Sequence, residues 1–354
     1  MPGDGWTMPL RLFGNTGLRV SALCLGTMTF GEQRVWGAGK AASRSVFERF
    51  VERGGNFIDT ANNYMNGASE EFLGEFLAGR REQFVLGTKY SLSLHPDDPN
   101  GGGNHRKSLK RNLEESLRRL RTDYVDVYWL HAWDFLTPVE EIMRALDDTV
   151  RAGKVLYLGI SDTPAWIVAY ANAIAAERGW TEFSGLQPEY NLVQRDAERD
   201  LLPMARALSM TVTPWSPLAG GLLTGKYNDY AGTDGRLAPG RSRNQVDERG
   251  LAIADAVMSV AEEIGCTPAQ VALAWLVHQP GSVIPIVGAR HVEQLDDNLG
   301  CLEIELTAGH LERLDTASHV ERGFPHDFIA SLAMLDQVHG NTYPRLAACP
   351  RWGR

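Results

Sequence analysis

A chain of 354 residues with 44% hydrophobic and 22% charged side chains fits a soluble globular protein with apolar material for a full core. Its formal net charge of −9 argues against a general nucleic-acid binder, yet an anionic cofactor would need only a few local donors. The opening Met1-Pro2-Gly3-Asp4-Gly5-Trp6 lacks the basic stretch and apolar run of a signal peptide, and no window nears about 18 unbroken apolar residues, so a cytoplasmic protein is expected. Cys24, Cys266, Cys301 and Cys349 lie far apart with no Cys-x-x-Cys pair, which reads as incidental thiols rather than a disulfide framework or a zinc site.

In chain order, residues 10–13 and 18–21 flank Gly14-Asn15-Thr16-Gly17 and predict a small hairpin. Short apolar runs follow at 22–25, 56–59, 84–88, 125–130, 155–160, 185–187, 211–215 and 283–287. Amphipathic stretches at 43–52, 106–120, 139–152, 166–178, 200–207, 251–264 and 291–299 separate them. Strands that are apolar throughout and alternate with helices predict a parallel sheet covered on both faces. Eight such units favour an α/β fold of the (β/α)8 TIM-barrel type, its floor capped by the hairpin. Three segments interrupt the repeat: 91–105, the Gly-rich 217–247, and the tail 319–354, which is expected near the active-site rim. No stretch has linker composition, so 1–354 is read as one domain.

Four polar residues stand at or just past predicted strand ends: Asp59, Tyr64, Lys89 and His131. A barrel gathers the ends of its second, third and fourth strands at one rim, so the four would share a pocket. Carbonyl reduction needs a hydride donor and a proton donor, and a free tyrosine with a pKa of about 10 is a slow acid at neutral pH. A lysine ammonium beside the phenol favours the phenolate and lowers that value. Asp59 would fix Lys89, and His131 would hydrogen-bond the substrate oxygen. Taken singly, each has a plainer reading: a helix cap for Asp59, a packing tyrosine, a solvated lysine, a structural histidine. The combination at successive strand ends favours the chemical one. Hydride from a cofactor needs no metal, and the chain lacks the His-x-His clusters of a metal-dependent barrel hydrolase.

Asp59-Thr60-Ala61 with Tyr64, Gly87-Thr88-Lys89 and Leu130-His131 resemble the catalytic blocks of the aldo-keto reductase superfamily, and the resemblance runs from about Leu12 to Ala317. The stretches 14–21 and 25–31, the latter Leu25-Gly26-Thr27-Met28-Thr29-Phe30-Gly31, are similar to its bacterial aryl-alcohol-dehydrogenase-like branch and to potassium-channel β-subunits. The resemblance implies Tyr64 as general acid, with Asp59, Lys89 and His131 around it. It departs after the tyrosine, where the family often has glycine and this chain has Met65.

The resemblance also implies an NADP(H) site. Ser161, Asp162 and Gln187 would hold the nicotinamide carboxamide, although asparagine is usual where Asp162 stands and a carboxylate cannot donate. Trp215 would stack on the ring, and Ser216, Pro217, Leu218, Gly220, Leu222 and Lys226 would form the loop over the pyrophosphate. Gly288, Arg290, Gln294, Asp297 and Asn298 would take the adenosine end, with Arg290 at a helix N-terminus clamping a 2′-phosphate. Gly26, Thr27, Met28 and Asp59 complete the set. No Gly-x-Gly-x-x-Gly follows the first strand, which disfavours a Rossmann dehydrogenase.

Phe30, Trp36, Tyr90, Trp133 and Phe135 lie beside strand ends and are candidate substrate walls, suited to a flat or amphipathic carbonyl compound or a sugar ring. The expected function is NADPH-dependent reduction of an aryl aldehyde, ketone or keto-sugar, with a small-molecule carbonyl as partner and a homo-oligomer left open. The alternative is a regulatory NADP(H)-binding, redox-sensing subunit with slow turnover.

Overall fold

Strand and helix alternate from residue 24 onward in the computed structural model, which describes residues 7–227 and 246–345. The opening residues read for a signal peptide, most of the Gly-rich stretch after residue 227, and the end of the tail with Cys349 lie outside the described residues. The predicted hairpin is present: β1 (Leu10–Leu12) pairs antiparallel with β2 (Arg19–Ser21), Leu10 opposite Ser21. The barrel strands are β3 (Cys24–Gly26), β4 (Phe57–Asp59), β5 (Val85–Tyr90), β6 (Val125–Leu130), β7 (Val155–Ser161), β8 (Phe183–Gln187), β9 (Thr211–Val212) and β10 (Ile286–Val287).

The eight strands pair in parallel in the order β10-β3-β4-β5-β6-β7-β8-β9. Residues 282–287 close the ring by bonding to both edges. Ile284 N–H donates to Val212 O at 2.8 Å and Ile286 N–H to Pro214 O at 3.0 Å, while Cys24 N–H donates to Pro285 O at 3.0 Å. The fold is therefore a (β/α)8 barrel with an N-terminal hairpin.

Trp129, pointing inward from β6, fills the barrel. A Cβ on Gly87, Gly159 or Gly185 would stand 2.8, 2.2 or 2.8 Å from its ring atoms, so neighbouring strands give up side chains to make room for one indole. Phe13, just past β1, closes the floor. Its ring meets Phe57 edge-on at 5.8 Å and Trp129 at 6.2 Å. The hairpin is thus a plug that leaves the opposite rim for the site.

The outer layer comprises α1 (Lys40–Glu52), α2 (Ala68–Phe76), α3 (Arg106–Leu120), α4 (Val139–Arg151), α5 (Ala165–Arg178), α6 (Leu201–Ala207), α7 (Glu248–Ile264), α8 (Pro268–Val277), α9 (Val292–Leu299) and α10 (Ala308–Ala317). Two short helices, α11 (His326–Ala330) and α12 (Leu332–His339), follow in the tail, which the sequence read only as weakly periodic. The helices α2, α8 and α10 also add to the expected set. In α8 nearly every residue from Ala269 to Leu276 is buried, so it has no polar stripe to betray a helical period. Its start is nonetheless encoded: Thr267 and Gln270 form a reciprocal capping box, with Pro268 in the first turn. No helix among the described residues is long and apolar enough to cross a membrane.

Candidate active site

Asp59 ends β4, Lys89 is the penultimate residue of β5, and His131 follows β6, so three successive strands deliver them to one rim. Tyr64 arrives on the loop after β4. The side chains meet as expected. Lys89, fully buried, forms an ion pair with Asp59 and donates to the Thr60 carbonyl at 2.8 Å and to the Tyr64 hydroxyl at 3.0 Å. Gln187, at the end of β8, donates its amide to the other Asp59 oxygen at 3.1 Å. The Tyr64 ring lies edge-on to the His131 ring, centroids 6.1 Å apart.

The electrostatics differ from the expectation in one respect. Burial pushes the Tyr64 hydroxyl above its ordinary value; the Lys89 ammonium pulls it down without cancelling that rise, and Asp59 and Asp162 add to it. The phenol therefore stands protonated, as a proton donor must. Lys89 is raised despite its own desolvation, because Asp59 and Tyr64 favour the ammonium. His131 is lowered to about 3, by burial first and by Lys89 second, so its ring is neutral at ordinary pH and keeps one N–H to donate. Its backbone N–H is held by Tyr90 O at 3.0 Å and Ser91 Oγ at 3.2 Å, while its Nδ1 is buried without a partner among the described residues.

Met65 and Asn66 adopt the left-handed conformation, with φ of 48° and 53°, and Gly67 follows at 94°. Asparagine tolerates this region, but for Met65 it costs about 1–2 kcal/mol, so the turn that presents Tyr64 is strained and must be held by its surroundings.

A model of the aldo/keto reductase family matches residues 22–319. The chain belongs to the aldo/keto reductase family. It is 39% identical over 328 residues to a norsolorinic acid reductase of Aspergillus flavus, covering 90% of this chain and 83% of that one. It is 39% identical over 349 residues to an aryl-alcohol dehydrogenase (NADP(+)) of Phanerodontia chrysosporium, covering 91% and 89%. A putative aryl-alcohol dehydrogenase of Saccharomyces cerevisiae is 37% identical over 339 residues, 90% and 89% of the two chains. This aldo/keto reductase is thus an oxidoreductase of the carbonyl–alcohol pair, in a family that uses nicotinamide cofactors.

The rim fits such a cofactor. Ser161, the last residue of β7, donates to Gln187 O at 2.7 Å, and Asp162 accepts the Trp215 indole N–H at 3.0 Å. Backbone φ is positive at Ser216, Ala219, Gly220 and Gly221, a winding turn of backbone groups beside Pro217 and Leu218. The Lys226 ammonium lies 2.6 Å from where a Cβ on Gly221 would be, so a cation stands over that turn, the chemistry a diphosphate requires. Arg290 is exposed just before α9, and its N–H donates to Gln294 Oε1 at 2.9 Å. Gly288 is exposed, and its carbonyl faces the Asn298 amide at 3.4 Å. Gly26 pairs with Asp59 in the sheet, the Thr27 hydroxyl donates to Asp59 O at 3.0 Å, and Met28 is half-buried beside them.

Four expected contacts are corrected. Phe30 is fully buried against Phe76 of α2, centroids 6.2 Å apart. Tyr90 is fully buried and stacks on Tyr128 at 5.1 Å; it follows the inward Lys89 on β5 and so points outward to the helix layer. Neither is a substrate wall. The Leu222 side chain is core, packed where a side chain on Gly250 of α7 would be, so only its backbone is left to the 216–226 loop. Asp297 turns to α8, accepting the Thr267 hydroxyl at 2.9 Å, not to the rim. Trp36, half-buried under the Arg34 guanidinium, and Trp133, whose N–H meets Asp162 O at 3.4 Å, stay at the rim, with Phe135 exposed beyond them. Thr60, whose carbonyl accepts a hydrogen bond from Lys89, is a site residue that the sequence does not announce, because a backbone acceptor leaves no residue-type signal.

Cys24 and Cys301 are buried with raised thiol pKa values, inert rather than reactive. Among the described residues no cluster of His, Cys, Asp or Glu is arranged to hold a metal ion.

Proposed function

We propose that this enzyme reduces an aldehyde or ketone to the alcohol with NADPH, Tyr64 giving the proton. The observation that carries the reading is the Tyr64 hydroxyl 3.0 Å from a buried ammonium that is itself paired with Asp59. A bound reduced nicotinamide supplies hydride to the carbonyl carbon. Tyr64 delivers its hydroxyl proton to the carbonyl oxygen, becoming a phenolate that Lys89 stabilises, and solvent returns the proton. Neutral His131 donates a hydrogen bond that orients the same oxygen. Asp59 keeps Lys89 charged and aimed. Ser161, Asp162, Gln187 and Trp215 would seat the nicotinamide, the 216–226 loop the diphosphate, and Gly288, Arg290, Gln294 and Asn298 the adenosine end. Trp36 and Trp133 would flank an aryl or amphipathic substrate.

The test is steady-state oxidation of NADPH and of NADH with a panel of aryl aldehydes, alkyl ketones and keto-sugars. The reading expects turnover on the aryl members with preference for NADPH. Tight NADPH binding without turnover on any member would replace it with a regulatory redox-sensing role.

A further inference from the structure

The helix α2 starts directly after the Tyr64 turn, and its first three residues, Ala68, Ser69 and Glu70, are all buried. Ser69 Oγ has one proton to give and three oxygens in reach: Thr27 O at 2.9 Å, Thr27 Oγ1 at 2.8 Å and Thr60 Oγ1 at 2.9 Å. Glu70 is fully buried; it accepts the Thr88 hydroxyl at 2.6 Å on one oxygen and Arg119 Nε at 2.7 Å on the other. Thr60 follows Asp59 and lends its carbonyl to Lys89, and Thr88 precedes Lys89 on β5. Alternation along that strand turns Lys89 into the barrel and Thr88 out towards α2. Arg119 of α3 also lies under the turn, its Cδ 3.0 Å from where a Cβ on Gly67 would be.

We propose that Ser69 and Glu70 are positioning residues for the Tyr64–Lys89 pair, Ser69 tying the Tyr64 turn to Thr27 and Thr60 just past β3 and β4, and Glu70 tying it through Thr88 to the strand that carries the lysine. The proposal rests on Tyr64 being the proton donor and adds what aims it. Tyr64 and Lys89 stand on different elements, and the strained turn between Tyr64 and α2 would relax if its far end were loose. Relaxation lengthens the 3.0 Å contact past hydrogen-bonding range and slows proton transfer. Substrate binding through the rim loops would be little affected. The charged and titratable groups bearing on Tyr64 are Lys89, Asp59 and Asp162, with the neutral His131 ring beside it. Of these Lys89 alone lowers the phenol, so a phenol moved away from Lys89 titrates higher.

The test uses Thr88→Val, which keeps volume and deletes one hydrogen bond, and Ser69→Ala, which leaves the Glu70–Arg119 pair intact. Each variant is assayed for kcat and KM on one aldehyde, the alkaline limb of kcat, the solvent deuterium isotope effect and Tm. The expected result is a kcat about 10- to 100-fold lower, as for a misaimed catalytic group, with KM nearly unchanged. The alkaline limb moves to higher pH, the isotope effect grows, and Thr88→Ser recovers activity. A lowered Tm with unchanged kcat, limb and isotope effect in both variants would overturn the proposal. So would Thr88→Ser behaving as Thr88→Val. Tyr64→Phe in the same assay separates the two levels: if it is inactive while Thr88→Val and Ser69→Ala turn over normally, only the positioning role fails; if it is active, both readings fail.

Discussion

Met65 packs onto the bare backbone of Gly31: a Cβ at residue 31 would stand 2.6 Å from the Met65 Cβ. The contact explains how this chain departs from the glycine that often follows the tyrosine in its family. Met65 carries a side chain in the left-handed region yet is only 4% exposed, so burial of its thioether against Gly31 and Gly37 offsets the strain of its backbone. The loop after β3 and the Tyr64 turn are one packed unit.

Gly31→Ala should therefore damage catalysis from a distance. Its φ of 137° suits glycine, and the new methyl would meet both Met65 and Gln33. Overpacking of this kind costs about 1–3 kcal/mol, and kcat should fall because Tyr64 moves with Met65. Met65→Gly in the same chain should recover part of both losses. Denaturation midpoints and kcat of the two single variants and the double variant check this. Additive losses, with no coupling, would show that the contact does not govern the turn.

The pH dependence of reduction follows from two shifts. His131 is lowered to about 3, so it stays neutral from pH 5 to 8 and contributes no limb there. Tyr64 is raised, and reduction needs its protonated form. The rate should hold level through neutrality and fall only as pH rises through a tyrosine value above the ordinary one. A limb near the usual histidine value that disappears in His131→Asn would contradict the neutral assignment. A kcat that rises with pH across neutrality would contradict the role of Tyr64 as acid.

Arg290 should carry much of a preference for NADPH. It is exposed beside the first turn of α9, and loss of a charge-assisted hydrogen bond to a phosphate costs roughly 1.5–3 kcal/mol. Arg290→Ala should weaken NADPH by about 10- to 100-fold and leave NADH nearly unchanged. Fluorescence titration of both cofactors reads this out. Equal weakening of both would make Arg290 structural, and a wild type that prefers NADH would overturn the cofactor assignment.

The barrel was legible because each strand is a short run of apolar residues closed by a residue of different chemistry, and Asp59, Lys89 and His131 are three of those closers. What the sequence hides is the face a side chain takes. Tyr90 and Phe30 stand beside strand ends as a pocket wall would, but one residue of alternation, or one turn of loop, sends each into the helix layer. Asp297 has the spacing of a rim residue, yet a helix of eight residues offers flanks to two neighbours, and Thr267 claims the carboxylate. The tyrosine shift is hidden for a similar reason: the lysine is readable in the sequence, but the depth of burial that outweighs it is not. The helix α8 went unseen because a segment buried on all sides has no period.

In the proposed reaction Tyr64 supplies the proton. The most direct measurement is kcat for NADPH-dependent aldehyde reduction by Tyr64→Phe, set beside its NADPH dissociation constant. Removal of a positioned general acid should lower kcat by about 10²- to 10⁴-fold, with cofactor affinity nearly unchanged, since the hydroxyl acts only during chemistry. Near-wild-type turnover by Tyr64→Phe would contradict the account.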